Sequence, residues 1–318
     1  MAEPFRFAIL GAGQIAHKLA DACRRVEGVT VCAVASAAEE RARAFAEGEG
    51  IPAWYGSYAE ALDRERPDCA YIATTVGQHF MPLMLCAERG IPVLCEKAMF
   101  ASPREAETFY ATHRAFAMEG LWSRFLPTNE RARQLLREGA LGEVTRAEVT
   151  LGFAPPFDPE SRYFSARLGG GAARDLTVYA YELLTWLFSS PEAEARASAV
   201  MGPTGVDVTD DVRLTLRCGV PCQIHTTLAA PVREELVAHG TRGTLVVPHP
   251  HYADELFLYA DPSAPPVLRE RAAEENGFVH EVAEVTRCVR AGLKESPTVP
   301  WRDTLACARL LGRLTGDT

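Results

Sequence analysis

A short apolar run, Phe7 to Leu10, passes straight into Gly-x-Gly-x-x-Ala at Gly11, Gly13 and Ala16. Apolar residues then recur at helical spacing: Ile15, Leu19, Ala22, Cys23 and Val26. The pattern predicts strand, tight turn and helix. A second apolar run follows from Val29 to Ala35. Ser57-Tyr58-Ala59-Glu60 and Ser102-Pro103-Arg104-Glu105 have the form of capping boxes, the second with proline at the first helical position. Between them, 69–73 and 91–95 are short, apolar and bounded by turn residues, as strands buried on both faces are. Strands alternating with helices from residue 5 to about 119 predict a doubly wound parallel sheet.

Beyond Val144 the period changes. Residues 146–153, 193–201, 212–218, 222–228, 235–238, 243–247 and 255–259 read as short strands joined by turns, which predicts a large, open, mostly antiparallel sheet. One helix interrupts it, entered through Gly169-Gly170-Gly171 and running apolar to Phe188. Residues 128–138 read as a further helix. Two amphipathic helices, at 277–291 and 301–314, close the chain and are expected to cover that sheet. The expected division is a dinucleotide-binding domain at 1–122 and a substrate-binding and dimerisation domain at 123–318, both α/β.

Composition agrees with two domains: 318 residues, 47% hydrophobic, can bury a sizeable core. A net charge of −9 argues against nucleic acid or an anionic membrane as partner. No basic and apolar leader opens the sequence, and no apolar run approaches the length of a membrane helix. The nine cysteines are scattered, with no C-x-x-C pair, and Cys32, Cys69 and Cys95 fall in apolar runs as small hydrophobes. A reducing cytoplasm is the expected compartment. His249-Pro250-His251 has no accompanying carboxylate or cysteine cluster and reads as a turn, so no metal is expected.

The glycine turn has a chemical reading. Gly11 would permit the sharp turn, Gly13 would let the backbone approach a pyrophosphate, and Ala16 would let helix and strand pack closely. The N–H groups at Gln14 and Ile15 would then meet the phosphates. The second strand should end at the adenosine ribose, where an NAD site usually carries an acid. Here Ser36 and Ala37 stand there, with Arg41 and Arg43 beyond, which leans towards NADP with NAD possible. Arg41 reads equally as a phosphate contact or as a solvated helix residue. In a doubly wound sheet ligands sit at the C-terminal strand ends, where Thr74-Thr75 and Glu96-Lys97 fall. Glu96-Lys97 alone would suit a surface ion pair. At a strand end the lysine can instead meet a substrate hydroxyl, and partial desolvation eases proton transfer from an ammonium. Asp175 and Tyr179 are four apart on an apolar helix. That is either a buried hydrogen-bonded pair or a pair put to use.

The early G-x-G-x-x-A, Ala73-Thr74-Thr75 running to His79, Val93-Leu94-Cys95-Glu96-Lys97, Leu121 to Pro127, and the triple glycine leading to Asp175 and Tyr179 together resemble the Gfo/Idh/MocA oxidoreductases. The resemblance spans almost the whole chain and is strongest to the dimeric dihydrodiol dehydrogenase and NADP-dependent sugar (xylose) dehydrogenase branch. It implies an N-terminal Rossmann domain and a catalytic Lys97. It places Trp122 and Arg124 near the nicotinamide, and Asp175 and Tyr179 facing the substrate. His79 and Glu96 fall among the cofactor-site positions. The family's E-K-P becomes Glu96-Lys97-Ala98, its T-P becomes Thr74-Thr75, and Thr177 replaces a usual glycine.

The expected function is hydride transfer between NAD(P) and a hydroxyl-bearing carbon of a sugar-like polyol or cyclic trans-diol. Lys97, Tyr179 and Asp175 would be catalytic, and a homodimer would form through the second sheet. The alternative is a dinucleotide-binding regulator or sensor without turnover, for which Ala98 and Ala37 leave room.

Overall fold

The computed structural model describes residues 3–272 and 275–317. They form two compact units, one of residues 3–120 with 276–308, the other of 121–272 and 275 with 309–317.

The first unit carries β1 (Phe5–Leu10), α1 (Gln14–Arg25), β2 (Val29–Ala35), α2 (Glu39–Glu49), β3 (Trp54–Tyr55), α3 (Tyr58–Glu65), β4 (Cys69–Ile72), α4 (Phe80–Arg89), β5 (Val93–Glu96), α5 (Pro103–Thr112) and β6 (Ala117–Gly120). All six strands are parallel, in the order β3-β2-β1-β4-β5-β6. The order reverses between β1 and β4, the switch point at which such sheets take their ligands. Phe7, Ile9, Leu10, Tyr71, Ile72, Val93 and Leu94 are fully buried, which is why these strands read as unbroken apolar runs. The serine half of each capping box forms: Ser57 Oγ accepts from the Glu60 N–H and Ser102 Oγ from the Glu105 N–H.

The second unit contains α6 (Pro127–Arg137), β7 (Val144–Gly152), a π-helical turn at Ala173–Thr177, α7 (Val178–Leu187), β8 (Glu192–Met201), β9 (Asp207–Leu216), β10 (Pro221–Thr227), β11 (Glu235–Gly240), β12 (Gly243–Pro248), β13 (Glu255–Tyr259) and β14 (Leu268–Arg271). Its strands run β14-β13-β12-β11-β7-β10-β9-β8, antiparallel except where β10 lies parallel to β7. Ala147, Val149, Leu151, Val212, Leu214 and Ile224 point inwards beneath the π turn and α7. The other face carries Arg146, Glu148, Arg196, Asp211, Arg213 and His225. That open face is charged, so it is not the apolar liability that an uncovered sheet suggests.

The chain closes with α8 (Phe278–Arg290) and α9 (Trp301–Thr315). The sequence places both over the second sheet. Instead α8 packs on α1, where Asn276 Nδ2 donates to Lys18 O and Asp21 Oδ2, each at 2.8 Å. The Trp301 indole donates to Ala117 O at 2.9 Å. Only residues from 309 onward join the second unit. An amphipathic stripe specifies that a helix must be covered, not by which sheet.

Candidate active site

At the switch point Gly11 has φ +116° and donates its N–H to Ala35 O at 2.9 Å. A Cβ built on it would lie 2.8 Å from the Ala73 carbonyl carbon and oxygen, so only glycine fits between β1 and the end of β4. Gly13 opens α1 in extended conformation and is exposed, and Ala16 is fully buried under the helix. No side chain caps α1 and no acid lies in its first turn. The N–H groups of Gln14 and Ile15, with the positive end of the helix dipole, therefore present an anion site. These features fit a dinucleotide pyrophosphate, and Thr74 and Thr75 stand half-buried at the end of β4 beside them.

Past β2, Ser36 is buried, with its N–H on Tyr55 O and its hydroxyl accepting from the Ala38 N–H at 3.4 Å. Arg41 is exposed in the first turn of α2, which also holds Glu39 and Glu40. The sequence reading passed over those two acids, which lie beyond the position a ribose-binding carboxylate occupies.

Lys97 follows directly on β5, half-buried, and the Lys97–Ala98 peptide is cis. His79 is 1% exposed and spends its ring on the backbone: Nε2 lies 3.0 Å from Thr74 O, and Nδ1 3.1 Å from Ala98 O and 3.3 Å from Met99 O. Burial holds its pKa below the usual imidazole value, with the carbonyls acting the other way. Its place is that of a brace joining the end of β4 to the loop after Lys97. Glu119 supports the same loop by accepting the Met99 N–H at 2.9 Å. Glu96 accepts the Tyr71 hydroxyl at 2.5 Å. Glu281 of α8 is 1% exposed, and burial together with the Glu96 charge pushes its carboxyl well above the ordinary range. Tyr71, Glu119 and Glu281 escape a sequence reading because they look like ordinary strand or helix positions.

In the second unit, the Trp122 indole N–H donates to Tyr179 Oη at 3.0 Å, and the His251 ring lies 5.5 Å from the tyrosine ring. Asp175 accepts from Arg162 Nη1 at 2.9 Å, and Arg162 also donates to Tyr163 Oη while stacking on that ring at 4.1 Å. The sequence reading missed Arg162, although an arginine set among Phe153, Phe157, Tyr163 and Phe164 was a visible signal. The π turn contains Asp175, so its spacing to Tyr179 is not that of the regular α-helix the sequence predicted. Arg124, expected near the cofactor, is instead fully buried in an ion pair with Glu182 of α7. A guanidinium desolvated this completely would be strongly unfavourable without its carboxylate partner, and it has no exposed surface to offer a ligand.

Comparison with known proteins follows the same two halves. Residues 5–115 match the oxidoreductase family with NAD-binding Rossmann fold, and residues 129–246 match the GFO/IDH/MocA C-terminal domain. A trans-1,2-dihydrobenzene-1,2-diol dehydrogenase of Mus musculus is 32% identical over 317 residues, covering 96% of this chain and 94% of that one. Among solved structures, an aldose-aldose oxidoreductase from Caulobacter crescentus complexed with glycerol superposes with TM-score 0.87 at 23% identity, over 98% of this chain and 96% of that one. A 3-ketoreductase from Actinomadura kijaniata in complex with NADP superposes with TM-score 0.86 at 22% identity, over 99% of this chain and 98% of that one. The chain belongs to the Gfo/Idh/MocA family of NAD(P)-binding oxidoreductases.

Proposed function

We propose that the protein oxidises a secondary alcohol of a cyclic trans-diol or sugar-like polyol, or reduces the matching carbonyl. NADP, with NAD as second choice, supplies the hydride acceptor or donor when bound. The Trp122–Tyr179 hydrogen bond carries this reading most directly. A donor on the phenolic oxygen favours the ionised form through which a proton-accepting tyrosine must pass. In this reading Tyr179 moves the hydroxyl proton, Lys97 hydrogen-bonds the reacting oxygen and shares in the transfer, and Asp175, held by Arg162, orients the substrate. Gly11, Gly13, Gln14, Ile15, Ser36, Thr74 and Thr75 hold the dinucleotide. The named activity of the mouse relative supports a diol.

The mixed-sign open face of the second sheet suits a two-fold partner, since Arg196 and Arg213 of one copy can meet Glu148 and Asp211 of another. A homodimer through that face is therefore part of the reading, and light scattering at micromolar concentration tests it. Among the described residues no helix is long and apolar enough to cross a membrane, and none of the nine cysteines is in a disulfide. A reducing cytoplasm suits such a chain. The decisive experiment follows nicotinamide absorbance with NADP⁺ and NAD⁺ against a panel of trans-dihydrodiols and aldoses. Turnover of any member supports the reading. Tight dinucleotide binding with no turnover across the panel supports the sensor instead.

A further inference from the structure

The π turn that carries Asp175 is gripped at both ends from one strand. At its start, the Ala173 N–H donates to Asp207 Oδ2 at 2.5 Å. At its end, the Thr177 hydroxyl lies 2.7 Å from Asp210 Oδ2 and 2.6 Å from Thr226 Oγ1. Asp207 and Asp210 are 1% and 0% exposed. Residues three apart on a regular strand face opposite ways. Here the β8–β9 pairing passes from Val200↔Thr209 to Met201↔Asp207, skipping Val208. That bulge turns Asp207 to the same side as Asp210, and bulges serve to re-aim side chains in this way. Gly171, at φ +114°, leaves room for the Asp207 carboxylate, with which any Cβ there would collide.

We propose that Asp207 and Asp210, through Ala173 and Thr177, are positioning residues that hold the π turn so that Asp175 and Tyr179 keep their catalytic orientation. The proposal rests on the roles given to Asp175 and Tyr179 above. It also accounts for Thr177, which stands where the resembled family carries glycine: its hydroxyl is the handle that Asp210 grips. Burial holds both carboxyls above the ordinary range, and the Asp207 charge raises Asp210 further. Arg174 is the cation acting on Asp207, and Asp211 is the further acid acting on Asp210.

The test uses Thr177→Val, which keeps shape and removes the handle, and Thr177→Ser, which restores it. In full-length protein without cofactor or substrate, hydrogen–deuterium exchange is read over residues 171–180, and kcat, KM and cofactor affinity are then measured on the active substrate. Thr177→Val should exchange faster in that segment alone and lose about tenfold in kcat, the worth of one buried hydrogen bond, with cofactor affinity unchanged. Thr177→Ser should restore both. Wild-type exchange in Thr177→Val overturns the clamp. Faster exchange with wild-type kcat overturns its positioning role, as does a failure of Thr177→Ser to rescue. Full turnover in Tyr179→Phe would instead overturn the functional reading, while the exchange measurement still decides whether the clamp holds.

Discussion

Trp122 and Tyr179, fifty-seven residues apart, are joined by a hydrogen bond of 3.0 Å from indole nitrogen to phenolic oxygen. Its donor is the only polar atom of the indole, so Trp122→Phe deletes the bond while keeping an aromatic ring of smaller bulk. A loss of about tenfold in kcat is expected, with dinucleotide affinity unaltered in a fluorescence titration. Equal kcat in the two proteins would show that the bond has no part in turnover.

Lys97→Met and Tyr179→Phe each remove a proton-carrying group while conserving bulk. General acid–base groups contribute roughly 10²–10⁴-fold, and that loss in kcat is expected of each variant, with cofactor binding little changed. Near wild-type turnover in both would return the two residues to structural roles.

Cofactor choice turns on the end of β2. Ser36 leaves no carboxylate there, so NADP should bind at least as tightly as NAD. Ser36→Asp places a negative charge at the ribose and should weaken NADP far more than NAD. Titration of both dinucleotides against both proteins measures the ratio. Much tighter NAD binding by the unaltered protein would reverse the assignment.

Burial first, and then the Asp207 charge, push the Asp210 carboxyl up to about 8. A carboxyl held above its unfolded value of about 3.9 binds its proton more tightly in the folded state. Its contribution to stability is therefore complete below about pH 4 and is lost as the pH rises through about 8. Asp210→Asn cannot titrate and can still accept from the Thr177 hydroxyl. Urea denaturation at mildly acidic, neutral and alkaline pH should show the unaltered protein losing stability relative to this variant as pH rises. Buried acids that Asp210 does not act on, Glu281 among them, cancel in the difference. Parallel curves would mean that Asp210 is ionised throughout.

Much of this protein can be read without coordinates wherever the information is local. The apolar run into Gly11 announces a strand, a turn and a helix end because each needs only residue types a few positions apart. Ser57 and Ser102 mark helix starts for the same reason. The alternation from Val144 onward reveals half-buried strands, and the resemblance carried by Glu96-Lys97 and by Asp175 with Tyr179 points to the family.

What folding added is the choice of partner across long stretches of chain. Trp54–Tyr55, Ala117–Gly120 and Leu268–Arg271 are too short or too polar to show a period, yet become strands because a neighbouring edge accepts them. Nothing in 276–308 says that α8 will pack on α1, since its apolar stripe would suit any covered surface. Arg124 looks like a surface or ligand-binding cation until Glu182 meets it in the interior. Asp207 and Asp210 look like a polar turn until a skipped residue in β9 aims both at the π turn. Hydrophobic pattern specifies which atoms must leave water. It does not say which buried donor meets which buried acceptor, because that pairing forms only once packing has brought distant segments within hydrogen-bond reach.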